Sequence, residues 1–506
     1  VTPPTGLDLP RVLREGEPFP GAEVTSEYLE HHGVLPLLID DQAVVLTFRG
    51  APDPQVLDDL RIMAGGEVEV ASADEAEVRG GIQRLYAADG MTAQEVIAGM
   101  QAEVRPILSE DAALDDLVHL ANEAPVVKLV NLILLEALEA RASDVHLEGH
   151  DGGLRVRNRI DGVLQDGAAP PRHLGAAVVS RLKIMADLDI AERRVPQDGR
   201  IQLNLRDRRV DVRVSTLPTL HGESVVLRLL DKDRGRIDLG QLGMAPDTRA
   251  GFEEVISKPH GIVLATGPTG SGKTTTLYAA VDYVRTGREK IITVEDPVEY
   301  ELEGVPQVPV REKVGLTFAS ALRAMLRQDP DVMLIGEIRD HETADIATHA
   351  SLTGHLVLST LHTNDAPTAL TRLVDLGVES YLVASTVEGV LAQRLVRRIC
   401  PECIREDGVS DDQLRLLMAT RADVAGSRAG AGCEACRDTG YIGRTGIYEL
   451  MILDEAVRQA VHDGAGAGEL TRMARDRGMR LLREDGLRLV REGVTTVAEL
   501  LRVANA

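Results

Sequence analysis

The chain has no tryptophan, four phenylalanines and eight tyrosines among 506 residues. With aromatics this scarce, its cores must be built from Leu, Val, Ile and Ala. A nucleic-acid track that stacks bases on aromatic rings has little to draw on. Basic charge is also in deficit: 56 Lys and Arg against 80 Asp and Glu give a net charge of −24. That balance argues against a nucleic-acid-binding surface spread over the molecule, while leaving room for a local basic patch. Cysteine is confined to four residues between Cys400 and Cys436, unlike the dispersed framework of a disulfide-stapled secreted fold. No uncharged apolar run reaches the roughly 18 residues that a membrane-spanning helix needs. Val1 to Arg14 is Pro-rich and mixes charges without an apolar stretch. No secretory signal is visible there, and a cytosolic location is expected.

The length exceeds a single hydrophobic core, so about two to four domains are expected. Residues 1–25, rich in Pro, Gly and acid, read as disordered. Residues 26–105 read as a small α/β unit and a linker: strands at Val34–Ile39 and Ala43–Leu46, helices at Pro54–Met63 and Ala73–Leu85, then a polar stretch from Ala87 to Ala102. No catalytic constellation lies there, which favours a docking module over a second active site. Residues 106–235 mix helix and antiparallel sheet. Val126, Leu129, Val130, Ile133 and Leu134 mark a helix over Pro125–Ala140. Asp144–Glu148, Leu154–Ile160, Ile201–Leu205 and Val210–Val214 alternate as strands do, with Asp161-Gly162 as a turn. From 236 to 395 strands and helices alternate, the pattern of an α/β core. The cysteines occupy 396–440. Residues 441–506 read as helical, with Thr496–Glu499 as a capping-box pattern and Gly493 ending the helix before it.

The strongest signal is Gly267-Pro268-Thr269-Gly270-Ser271-Gly272-Lys273-Thr274. It fits G-x-x-x-x-G-K-[ST] between an apolar strand, Gly261–Thr266, and a helix entered at Thr275. The glycines allow backbone N–H groups to close around phosphate oxygens, and the helix N-terminus adds partial positive charge. Residues 267–275 are therefore expected to hold ATP. Lys273 would reach the β- and γ-phosphates, and the Thr274 hydroxyl would ligate Mg²⁺. A glycine-rich turn with a chance lysine is the competing reading, and it does not explain the strand–loop–helix context.

Further chemistry follows downstream. Ile291–Val294 leads into Glu295-Asp296-Pro297-Val298-Glu299, and Val332–Ile335 leads into Gly336-Glu337. Acids at the carboxyl ends of sheet strands sit where an α/β fold places its ligand; an acidic surface loop is the plainer alternative. His355 and His362 flank another apolar strand and suggest a sensor of the γ-phosphate or of a subunit interface, against satisfied polar residues. Arg213 and Arg228 lie in strands of the second unit, and Arg323 and Arg327 lie four apart, as on one helical face. They are phosphate clamps or surface ion pairs. Cys400, Cys403, Cys433 and Cys436 form two CxxC pairs, a ligand set suited to a closed, structural Zn²⁺ site. Redox pairs and an iron–sulfur cluster are the alternatives.

Taken together, these motifs resemble the type II secretion and type IV pilus assembly ATPases. The phosphate loop, Thr293–Glu299, Leu326–Asp331 running into Gly336–Asp340, Thr353–Asn364, and the cysteines after Gln393–Arg398 all match the family pattern. So do Ser143–His146, Arg159–Gly162 and Pro196–Arg200 ahead of the motor. The resemblance spans about residues 115–505; the first hundred residues match more loosely. It implies a RecA-like P-loop core preceded by a PAS-like α+β domain and a small N-terminal α/β docking domain, with a tetracysteine zinc-binding insertion. It implies a homohexamer with ATP bound between PAS-like domain and motor, Arg213 and Arg228 reaching nucleotide from the first, Arg323 and Arg327 from the second. Glu337 would organise Mg²⁺ and the attacking water, with Glu295 as partner or base. The implied partners are the cytoplasmic domain of an inner-membrane assembly protein, met by the N-terminal unit, and an inner-membrane platform protein; the implied location is the cytoplasmic face of that membrane. The cysteine loop and extra N-terminal domain argue against a retraction motor. Export is preferred over pilus extension, and a nucleic-acid translocating ATPase is the contrasting class.

Overall fold

The computed structural model describes residues 19, 26–39, 42–48, 50, 52–64, 66–85, 120–121, 124–205, 208–231 and 237–504. The N-terminal unit pairs Val34–Ile39 antiparallel with Gln42–Thr47, which pairs parallel with Val68–Ser72. Helices Ser26–His32, Pro54–Ala64 and Glu75–Leu85 accompany this sheet, and Leu35, Leu37, Val44, Leu46, Leu60 and Ile82 form the core. The third helix starts two residues later than its composition suggests because Asp74 caps it, its Oδ1 accepting from the Ala76 N–H at 2.9 Å. Phe19 is buried in this core; the rest of the expected disordered stretch and the linker at 87–102 lie outside the described residues.

The second unit is a six-stranded antiparallel sheet in the spatial order Val163–Asp166, Gly153–Ile160, Ala142–His150, Gly222–Asp231, Arg208–Thr219, Gln197–Leu205. Helices Ala124–Glu139 and Gly175–Met185 contribute to its core together with Val145, Leu147, Val156, Val212, Val214 and Leu227. Side chains alternate along a strand. Burying Val212, Val214, Val225 and Leu227 therefore turns Arg213 and Arg228 to the other face.

The motor sheet has seven strands in the order Gln307–Pro309, Ile291–Glu295, Val332–Ile335, Leu356–Leu361, Gly261–Thr266, Val387–Ile399, Tyr441–Ile452. All neighbours are parallel except the last pair, which is antiparallel. Ile262 and Leu264 enter one core and Val263 and Ala265 another, so this strand is covered on both faces and reads as one apolar run. Two expectations are corrected here. The boundary at 395/396 falls inside the strand Val387–Ile399, and the tail expected to be helical opens with the strand Tyr441–Ile452. The cysteine segment is thus an excursion between two paired strands, with its own ribbon of Ile404–Glu406 against Arg428–Gly430. Helices follow from Glu455 onward. Thr496 caps the last, Val497–Ala504, accepting from the Glu499 N–H at 2.9 Å. The Glu499 carboxylate does not close the box; it accepts from the Arg397 N–H at 3.0 Å and pairs with the guanidiniums of Arg397 and Arg502. That clamps the tail to the motor sheet.

Candidate active site

The strand Gly261–Thr266 delivers the chain into Gly267–Gly272, and the helix Lys273–Val284 leaves it. Gly267, Gly270 and Gly272 have φ of 145°, 77° and 89°, a region that penalises any side chain. The Lys273 ammonium donates to the carbonyls of Gly267 and Pro268 at 2.7 and 3.1 Å. Burial pulls its pKa below the ordinary lysine value, and the Glu337 carboxylate acts in the opposite sense. Thr274 is exposed at the start of the helix, and Thr275 is half-buried beside it.

The two acidic strand ends differ. Glu337 keeps its carboxylate close to the surface of the site, with Oε1 2.6 Å from Arg339 Nη2 and Oε2 3.2 Å from His362 Nε2. Glu295 is buried, and both its oxygens are taken. Oε1 accepts from Thr293 Oγ1 at 2.5 Å and Gln307 Nε2 at 3.0 Å, and Oε2 accepts from the Tyr278 hydroxyl. A carboxylate so held ties the P-loop helix to the acidic loop, an arrangement that suits the partner role expected for Glu295 better than the role of base. The residue missed by sequence reasoning is Glu299, four positions on. Burial raises its pKa; the positive charges of Arg213 and Arg228 in the second unit pull it down, and Glu295 adds to the rise.

Those arginines belong to a row. Register pairs Arg200 with Arg213 and Arg213 with Arg228 on three adjacent strands. All three line a cavity of about 390 Å³ together with Asp198, Ser215 and Val226. Burial lowers the Arg213 pKa, opposed first by Glu299. Arg228 Nε donates to Asp144 Oδ1 at 3.1 Å. Arg200 was legible as the alternation partner of Arg213 across a hairpin, a signal that only register makes specific.

Three expected residues are not brought here. Parallel pairing sets Thr266 beside Leu361 and Gly261 beside Leu356, so His362 lies at the P-loop end of the sheet and His355 at the other. His355 Nδ1 sits 2.9 Å from the Ala350 carbonyl and 3.1 Å from Thr353 Oγ1, closing the end of a helix. The helix Phe318–Met325 stops before Arg327, so Arg323 and Arg327 do not share a helical face; Arg327 lies in the turn beyond, exposed, and Arg323 donates to Glu342 at 2.6 Å.

The four cysteine sulfurs lie within 4.8 Å of one another, with Cys400–Cys433 and Cys403–Cys436 at 3.8 Å and Cys433–Cys436 at 3.7 Å. A tetrahedral zinc ion with bonds of about 2.3 Å would set its ligands about 3.8 Å apart, so the geometry fits that ion. Burial raises the Cys436 thiol pKa, but N–H donors of Cys433 and Gly440 bring it down to about 7.

The family model described as Type II/IV secretion system protein matches residues 119–502, and that described as MshEN domain matches residues 7–92. The chain is 52% identical over 418 residues to the Type II secretion system protein HxcR of Pseudomonas aeruginosa, covering 82% of this chain and 85% of that one. It is 44% identical over 482 residues to the Type IV pilus assembly ATPase PilB of Myxococcus xanthus, covering 94% and 85%. Among solved structures, the pilus retraction motor PilT with bound ADP aligns with a TM-score of 0.52 at 26% identity, covering 73% of this chain and 95% of that one. The span 119–502 holds the phosphate loop, both acidic strand ends, the arginine row and all four cysteines.

Proposed function

The chain belongs to the type II/IV secretion system protein family and is an ATP-hydrolysing secretion ATPase, and we propose that it powers export in a type II secretion system by moving its PAS-like domain against its motor. The observation that carries this is the pairing of a phosphate loop on the motor with a cavity on the other domain lined by Arg200, Arg213 and Arg228; the charges of Arg213 and Arg228 act on Glu299 of the motor. In this reading the loop's N–H groups and Lys273 hold the triphosphate. The Thr274 hydroxyl holds Mg²⁺, which when bound offsets charge on the β- and γ-oxygens. Glu337, steered by Arg339 and His362, orients the attacking water. Glu299 takes its proton, and Arg200, Arg213 and Arg228 stabilise the charge gathered on the transferring phosphoryl. Arg323 and Arg327, on the outer surface of the motor, serve a neighbouring copy in a homohexamer. Cys400, Cys403, Cys433 and Cys436 hold a structural zinc ion. The N-terminal unit docks on the cytoplasmic domain of an inner-membrane assembly protein, and the stroke is delivered to a membrane platform protein at the cytoplasmic face.

A second reading, pilus extension, is favoured by the PilB relative of Myxococcus xanthus. Lys273→Ala is expected to abolish ATP turnover, and undiminished turnover would refute the phosphate-loop role. Deleting the gene then separates the two readings: loss of an exported protein with piliation intact supports export, and the reverse supports pilus extension.

A further inference from the structure

Gln393 lies on Val387–Ile399, the strand that runs parallel to the P-loop strand with Ala392 beside Thr266. It is 1% exposed. Its Nε2 donates to the Ser271 carbonyl at 2.8 Å. The same residue walls the loop at both ends. A Cβ on Gly267 would stand 2.4 Å from the Gln393 carbonyl oxygen, and one on Gly272 would stand 3.2 Å from Nε2. The Gln393 Oε1 makes no hydrogen bond among the described residues, so the loop carbonyl sets which way the amide faces. Turning it over would oppose two acceptors.

The Ser271–Gly272 peptide is trans, so its C=O and N–H point in opposite directions across one rigid plane. Tying the carbonyl to Gln393 therefore turns the Gly272 N–H away from Gln393. We propose that Gln393 is a positioning residue for the phosphate loop: it locks this peptide so that the Gly272 N–H faces the nucleotide's phosphate. The inference rests on the phosphate-loop reading of residues 267–274 and adds a residue that lies outside the motif.

The test uses the full-length protein and a fluorescent ADP analogue. Gln393→Met keeps the length of the side chain and loses the donor; Gln393→Glu sets an acceptor against the Ser271 carbonyl. Each is expected to weaken binding at pH 8 by about tenfold, the loss of one directed N–H contact to a charged group. The two variants separate with pH. On protonation the carboxyl of Gln393→Glu supplies an O–H donor to the same carbonyl, so its dissociation constant relative to the parent falls as the pH drops from about 8 to about 6. That of Gln393→Met stays constant. Binding by Gln393→Met within twofold of the parent would overturn the inference, as would a Gln393→Glu to parent ratio that ignores pH. If Gln393→Glu does not fold, the Met variant decides alone. Lys273→Ala provides the reference arm: parent-like binding there refutes the phosphate-loop reading itself, whereas lost binding there with parent-like Gln393 variants refutes only the present inference.

Discussion

Two glutamates four residues apart have opposite fates. Glu295 ends a strand and is gripped by Thr293, Tyr278 and Gln307. Glu299 stands past the turn, half-buried, where the charges of Arg213 and Arg228 act on it. Removing the grip should cost stability and spare chemistry. Tyr278→Phe leaves a buried carboxylate one donor short and is expected to destabilise the motor by about 1–3 kcal/mol, read as a lower melting temperature with kcat within a few-fold. Glu299→Gln should do the reverse, lowering kcat about 100-fold or more with the melting temperature held. The pH profile has a definite sign. A base works ionised, so activity is present above the Glu299 pKa and lost as pH falls through it. Burial has raised that pKa, so the acid limb should lie above the usual carboxylate range. A limb below that range, or one that persists in Glu299→Gln, would return the role of base to another group.

The motifs that could be read directly are those whose chemistry demands fixed spacing: the loop Gly267–Thr274 and the two CxxC pairs. The parallel strands were legible because burial on both faces writes them as short apolar runs. What was hidden depends on partners distant in sequence. Nothing near Glu295 announces that Gln307 and Tyr278 will capture it. The strand Tyr441–Ile452 carries two glycines and is buried without alternation from Thr445 to Glu449, so neither period is visible; its evidence is Val387–Ile399, the strand it pairs with. The cysteine excursion between those strands should behave as its own element. Chelation under reducing conditions is expected to open residues 404–432 to protease while the flanking strands stay protected, with release of one zinc per chain. Freshly purified, reduced protein without zinc would refute the site. Glu449, on the same edge strand, accepts the Ala366 N–H at 2.9 Å, and burial pushes its pKa up to about 7. A carboxyl protonated in the folded state but ionised when unfolded costs stability as pH rises from about 4.5 to about 7. Relative to Glu449→Gln, the wild-type melting temperature should therefore fall between about pH 5 and pH 8; parallel curves would mean that the carboxyl ionises freely.

At the scale of the whole molecule, the proposed stroke requires two bodies that stay joined while they move against each other. The turn residue Asp161 of the PAS-like sheet accepts the Gly443 N–H at 2.8 Å and pairs with Arg444 Nε at 3.2 Å. Gly443 and Arg444 lie near the start of the strand that leaves the cysteine loop, three and four residues after Gly440, whose N–H meets Cys436 Sγ at 3.2 Å. The tetracysteine loop thus adjoins a contact that joins one domain to the other, and the proposed stroke would swing the arginine row about it. Asp161 has φ of 49°, which asparagine tolerates, so Asp161→Asn keeps the turn and removes the charge. Its expected effect is a several-fold lower kcat at saturating ATP, a broader distribution of distances between spin labels on the two domains, and unchanged nucleotide affinity. An equal loss of affinity would mean that the turn shapes the site, and a parent-like kcat with a parent-like distance distribution would mean that the domains are joined by other contacts.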